Sequence, residues 1–160
     1  MKKYFSLFLS VLALDQISKL AIYKLLPYGA SIQIVKPLHF FYLTKVYNTG
    51  GAFSFFQNHN LFFLIFIPLF LLSIALYAYK ERENLSKFQK HCLCILIAGG
   101  AGNLTDRIFR GAVIDFLDFG INNLRWPSFN IADSAVCISV FLLAIDMLKT
   151  ALKDKKNSSK

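Results

Sequence analysis

Acidic residues are scarce in this chain: nine Asp and Glu stand against eighteen Lys and Arg, so each carboxylate needs its own explanation. Histidine is scarcer still. His39, His59 and His91 fall in three separate regions without a His-Glu-x-x-His spacing, which argues against a zinc protease. Cys92, Cys94 and Cys137 lack metal or redox spacing and sit in apolar sequence, where they read as buried small residues. There is no Gly-x-Ser-x-Gly elbow and no phosphate loop. Ser18 and Lys19 are adjacent and point to different faces of a helix, so they make no Ser–Lys dyad. What survives is acid–base work by carboxylates, or a metal held by them.

The abundant residues set the environment. The 160 residues are 56% hydrophobic and 16% aromatic with mean hydropathy +0.49, a composition suited to a bundle of membrane helices in one domain. The net charge of +9 makes no aromatic-interleaved patch, so nucleic acid is not the expected partner. Four apolar segments, about 4–26, 61–79, 92–108 and 131–148, approach the length that spans a hydrocarbon core of roughly 30 Å. The first opens like a secretory signal with Lys2 and Lys3, but no small-x-small cleavage site follows, and it is retained as a helix.

Eleven Lys and Arg residues lie in the amino end, the middle loop and the tail 149–160; six lie in the other two connections. By the positive-inside rule both termini are cytoplasmic, and loops 27–60 and 109–130 face outward. The tail reads as a disordered basic end near anionic lipid. Residues 31–35 and 39–47, rich in β-branched and aromatic side chains, predict a small β-element that ends at the turn Asn48-Thr49-Gly50-Gly51. Trp126-Pro127 reads as an interfacial anchor before the last helix. The fold class is a membrane all-α bundle of four transmembrane helices with a small extracytoplasmic β-rich element.

Ionisable groups inside such sequence are functional candidates, since a charge at mid-bilayer costs roughly 2.5–3.5 kcal/mol on insertion scales. Asp115 and Asp133 lie at the edges of membrane-type sequence, beside small and aromatic residues, with Asn103 and Arg107 upstream; together they point to a catalytic pair. Asp15 and Lys19, four apart on one helix face, can neutralise each other, as a structural ion pair or as part of a site. Ala98-Gly99-Gly100-Ala101-Gly102 suits close helix packing better than ligand binding. Asp106 and Arg110 read as a surface pair.

The ordered motifs Asp15-Gln16-Ile17-Ser18-Lys19, Asn48-Thr49-Gly50-Gly51-Ala52-Phe53-Ser54, Gly99-Gly100-Ala101-Gly102-Asn103-Leu104-Thr105-Asp106-Arg107, Val113-Ile114-Asp115-Phe116 and Phe129-Asn130-Ile131-Ala132-Asp133-Ser134 resemble the signal peptidase II family of bacterial intramembrane aspartyl proteases. Each motif alone is weak; together they cover residues 5 to 150. Gly51, where alanine is expected, is a departure. The resemblance implies that Asp115 and Asp133 form a catalytic dyad, with Asp15, Lys19, Asn48, Gly50, Asn103, Arg107 and Asn130 supporting site or substrate. It implies hydrolysis of diacylglyceryl-modified prolipoproteins at the amino side of the lipidated cysteine. No metal and no cofactor are required. The partners are lipidated prolipoproteins and membrane lipids, and the protein is expected to be a monomer in the bacterial inner membrane with its site at the extracytoplasmic face. Two carboxylates sharing a proton titrate as a pair, and the dipole of the last helix favours the Asp133 anion as base. Asn48 and the aromatic run 53–56 are expected to position substrate without touching the proton chemistry.

Two rivals remain open on the residues alone. Asp115 and Asp118 have the Asp-x-x-Asp spacing of a magnesium-dependent transferase acting on lipid diphosphates, though a second acidic cluster is missing. A proton- or ion-conducting bundle would also use Asp15, Lys19, Asp115 and Asp133.

Overall fold

A computed structural model describes residues 2–35, 39–51, 59–121 and 124–158. In chain order these form α1 (Lys2–Leu25), β1 (Ser31–Gln33), β2 (Phe41–Asn48), α2 (Asn60–Lys80), α3 (Lys87–Arg110), β3 (Val113–Ile121), β4 (Leu124–Arg125) and α4 (Ile131–Ser158). All four helices are long and apolar enough to cross a membrane. The helices cover the four apolar segments to within a few residues, with two differences. α3 begins at Lys87, where Ser86 and Gln89 form a capping box, and α4 runs to Ser158, so most of the tail continues the helix instead of fraying from it.

α3 is the central helix, and its glycines explain why. A side chain at Gly99 would strike Ala132 O of α4, one at Gly100 would strike Leu71 of α2, and one at Gly102 would strike Asp15 of α1, each at 2.6 Å from the added carbon. Small residues facing three directions let three helices close on one. α2 is the most apolar helix, with mean hydropathy 2.6, and none of its residues is buried.

The four strands make one antiparallel sheet in the order β1-β2-β3-β4. The first two fall where the β-branched runs predicted them. β3 and β4 arise in the segment read as a plain outer loop. Along β3 the side chains alternate: Ile114 and Phe116 join Ile22 and Leu26 at the end of α1 in a buried cluster, and Asp115 faces the opposite side. Lys45, counted above as a loop charge, is 7% exposed. Its Nζ donates to Tyr23 O at 2.8 Å and Leu26 O at 3.0 Å, satisfying the last carbonyls of α1 and tying β2 to that helix.

Candidate active site

The sheet, the end of α3 and the start of α4 enclose a cleft of about 610 Å³. Asp115, Asp133, Asn103, Arg107 and Asn48 line it, with Trp126–Phe129 along one wall. Trp126 and Pro127 are therefore part of the cleft as well as the approach to α4. Val46 pairs with Asp115 and Asn48 with Val113, so Asn48 is the diagonal neighbour of Asp115 on one sheet face. Its Nδ2 donates to Asp115 Oδ2 at 2.8 Å.

Asp115 is 2% exposed and its other oxygen accepts from Asn130 Nδ2 at 2.7 Å. Asp133 is held by Asn103 Nδ2 at 2.7 Å and by the Asn130 backbone N–H at 3.2 Å. In return the Asp133 N–H donates to Asn130 Oδ1 at 2.9 Å, a reciprocal cap over the first turn of α4. Asn130 thus reaches both carboxyl groups.

Three asparagines turn their amide nitrogens toward these carboxyls, and each amide oxygen is fixed by its own donor. Gly50 N–H holds Asn48 Oδ1 at 3.0 Å, Asp133 N–H holds Asn130 Oδ1, and Lys19 Nζ holds Asn103 Oδ1 at 2.9 Å. The contacts decide which end of each amide faces which group. Burial pushes the Asp115 carboxyl up to about 7, and the negative charge of Asp133 adds to that. Hydrogen bonds from Asn48 and Asn130 and the charge of Lys19 oppose the rise.

Behind the cleft is a charge cluster. Lys19, fully buried, sits 2.9 Å from Asp15 Oδ2 and 3.1 Å from Asp106 Oδ2. Asp15 Oδ1 accepts from Ala132 N at 2.9 Å and Asp106 Oδ2 from Ile114 N at 3.2 Å. These carboxylates therefore pin the residues adjoining Asp133 and Asp115. The reading of Asp106 and Arg110 as a surface pair is corrected: they are bonded, but Asp106 is 0% exposed and its second cation, Lys19, comes from another helix. Gln16, quoted in the first motif without a role of its own, donates to Gly102 O at 3.1 Å and to Asp15 at 3.0 Å.

Arg107 is 3% exposed and lies over the Phe63 ring at 3.9 Å from its centroid, with Nη1 near Thr49 O and Asn60 Oδ1. Asn60 and Phe63 carried no sequence signal beyond their polarity or bulk, and Thr49 had only its place in the turn motif. Gly51 has φ +70°, and an added side-chain carbon would sit 3.0 Å from Phe63, so glycine suits this turn better than the alanine expected there. Cys92 is buried as foreseen, but Cys137 is exposed and lines the cleft. The aromatic run 53–56 lies outside the described residues.

Asp118 stands apart. Three positions from Asp115 on a strand, it points to the other face and pairs with Arg125 at 2.7 Å. The Asp-x-x-Asp spacing therefore converges on no common point. Among the described residues no three His, Cys, Asp or Glu side chains gather as a metal cluster.

Comparison with known proteins bears on this arrangement. A family model described as Signal peptidase (SPase) II matches residues 7–149. A lipoprotein signal peptidase of Alteromonas mediterranea is 40% identical, with 94% of this chain and 83% of that protein covered. One of Bacillus pumilus is 33% identical, with 98% and 99% covered. A solved bacterial membrane enzyme superposes with a TM-score of 0.85 at 29% identity, covering 94% of this chain and 90% of the other.

Proposed function

The chain belongs to the signal peptidase II family, bacterial inner-membrane enzymes that remove signal peptides from prolipoproteins, and on that premise we propose that Asp115 and Asp133 perform an aspartic-protease hydrolysis. The observation that carries the proposal is the bridge at Asn130, which joins two carboxyls on the floor of one cleft, one of them pushed to about 7.

Asp133, ionised, takes a proton from water, and the hydroxyl adds to the scissile carbonyl carbon. Asp115, protonated, gives its proton to the carbonyl oxygen, so no free oxyanion builds up. The proton now on Asp133 passes to the leaving nitrogen, the C–N bond breaks, and Asp115 recovers a proton from the gem-diol as the new carboxyl group forms. Asn48, Asn130 and Asn103 hold both groups in reach throughout. Arg107 keeps a buried Nε without a partner among the described residues, which makes it the donor left for a substrate carbonyl.

The bond cleaved is the one on the amino side of a diacylglyceryl-modified cysteine. The cleft has polar groups at its floor and Phe63, Ile67 and Val136 toward the helices, so acyl chains stay in lipid as the peptide bond reaches water. Both termini are cytoplasmic and the site opens on the outer face, as the Lys and Arg bias supports. The enzyme acts as a monomer. The test is cleavage of a lipidated peptide by purified protein. Asp115→Asn and Asp133→Asn each lower kcat by about 10³-fold or more with insertion and folding retained. Near-normal turnover by either variant would sink the mechanism.

A further inference from the structure

A second cavity lies at the opposite end of the bundle, where α1 and α3 begin and α2 ends. It is a groove of about 660 Å³, within the range of small-molecule sites. Its walls are apolar: Phe8 from α1, Ala75 and Ala78 from α2, Leu93 and Ile97 from α3. Ala75 and Ala78, three apart, share a helix face whose small side chains leave a slot over α3.

The mouth has the opposite character. Lys90 and Arg82 stand there with Tyr79, Tyr4 and Glu83. Lys90 is half-buried and forms no ion pair with an acidic side chain among the described residues. The Arg82 guanidinium is held over the Tyr79 ring at 4.8 Å; its contact with Glu83 is 3.3 Å long and open to solvent, a weak hold. Lys2, Lys3, Lys80 and Lys87 belong to the same end of the bundle. An ammonium without a counter-ion, set above an apolar slot between membrane helices, is complementary to an anionic headgroup attached to an acyl chain. A zwitterionic headgroup would bring a second ammonium against Lys90 and Arg82.

We propose that this groove binds an anionic phospholipid, with its phosphodiester between Lys90 and Arg82 and one acyl chain along Phe8, Ala75, Ala78 and Ile97. The lipid would stabilise the folded bundle, because it binds an arrangement of three helices that exists only there.

The experiment titrates dioleoyl phosphatidylglycerol, dioleoyl phosphatidylcholine and water-soluble glycerophosphoglycerol into the full-length protein in mild detergent. Retained lipid is read by native mass spectrometry and stability by the thermal midpoint. One phosphatidylglycerol is expected to be retained with a rise in midpoint, and neither the zwitterionic lipid nor the chain-free headgroup should reproduce this. Lys90→Gln with Arg82→Gln should weaken retention at least tenfold, and Ala78→Trp, which fills the slot without changing charge, should do the same. Cleavage of a lipidated peptide at the wild-type rate verifies that each variant is folded; Ala75→Leu replaces Ala78→Trp should that protein fail this control. Equal retention of phosphatidylcholine, binding of the chain-free headgroup alone, or unchanged retention in either the charge or the slot variants would overturn the proposal.

Discussion

Two groups of carboxyls, all buried except the half-buried Asp133, lie within one hydrogen-bond network, and they are treated in opposite ways. Asp15 and Asp106 share the Lys19 ammonium, Asp106 is also bonded to the Arg110 guanidinium, and the other contacts of these carboxyls are backbone or amide N–H groups. Among the described residues, Asp115 and Asp133 receive only neutral amides and a backbone N–H. A cation in contact cancels the charge of a carboxylate, whereas neutral donors hold its position without cancelling that charge. The first pair is scaffold and the second, on the reading above, is reactive. Asn103 joins them, accepting from Lys19 and donating to Asp133.

Removing the cation breaks this contrast most severely. Lys19→Met leaves Asp15 with no cation in contact among the described residues and Asp106 with Arg110 alone, and breaking a buried pair in this way typically costs about 3–5 kcal/mol. Thermal unfolding in detergent should show that drop, and adding Asp15→Asn and Asp106→Asn to Lys19→Met should recover much of it. Stability without turnover in the triple variant would show that the cluster also orients Asn103.

The pH dependence sharpens the other side. With Asp115 protonated below about 7, kcat/KM should fall as pH rises through that value. Stability follows the same group. From 3.8 to about 7 the unfolded chain releases the Asp115 proton while the folded protein keeps it, so this residue makes stability decline as pH rises across that window. Asp115→Asn should flatten that part of a melting-temperature profile; an unchanged slope would mean another group titrates there.

A smaller effect separates tuning from placement. The Asn48 amide lowers the Asp115 pKa, so Asn48→Ala should move the alkaline limb upward, together with a loss in rate. This replaces the expectation that Asn48 acts on substrate alone. Kinetics of wild type and variant across pH decide it, and superimposable limbs would restore the simpler role. Smallest of all, Asp118→Asn should change turnover by no more than about threefold, because Asp118 serves Arg125 on the far face of β3. Activity should also persist in EDTA; loss restored by magnesium would return the metal reading.

The helices were legible because long apolar runs have few other uses, and the positions of Asp115 and Asp133 because charge is rare in such runs. The third strand was not. Val113-Ile114-Asp115-Phe116-Leu117 lacks a clean polar alternation, since its core face packs on α1 and its other face lines a cleft instead of open solvent. Asp106 was misread because the nearest partner in sequence, Arg110, hid the one that buries it, Lys19, which comes from another helix. Lys45 carried no local mark of its task, as the carbonyls it binds belong to the end of α1. Sequence spacing reports neighbours along one element; these errors concern neighbours between elements.

The reciprocal cap at the head of α4 has a practical meaning for anyone seeking an inert trap for substrates. On the proposed mechanism Asp133 is both a reacting group and a fastening of its own helix, so alanine and asparagine are not equivalent knockouts. Alanine deletes the acceptor for the Asn130 N–H, and losing such a cap costs about 1 kcal/mol. Asparagine keeps a carbonyl oxygen for that N–H while giving up the acid–base chemistry. The asparagine form is the better decoy to co-purify with uncleaved prolipoprotein.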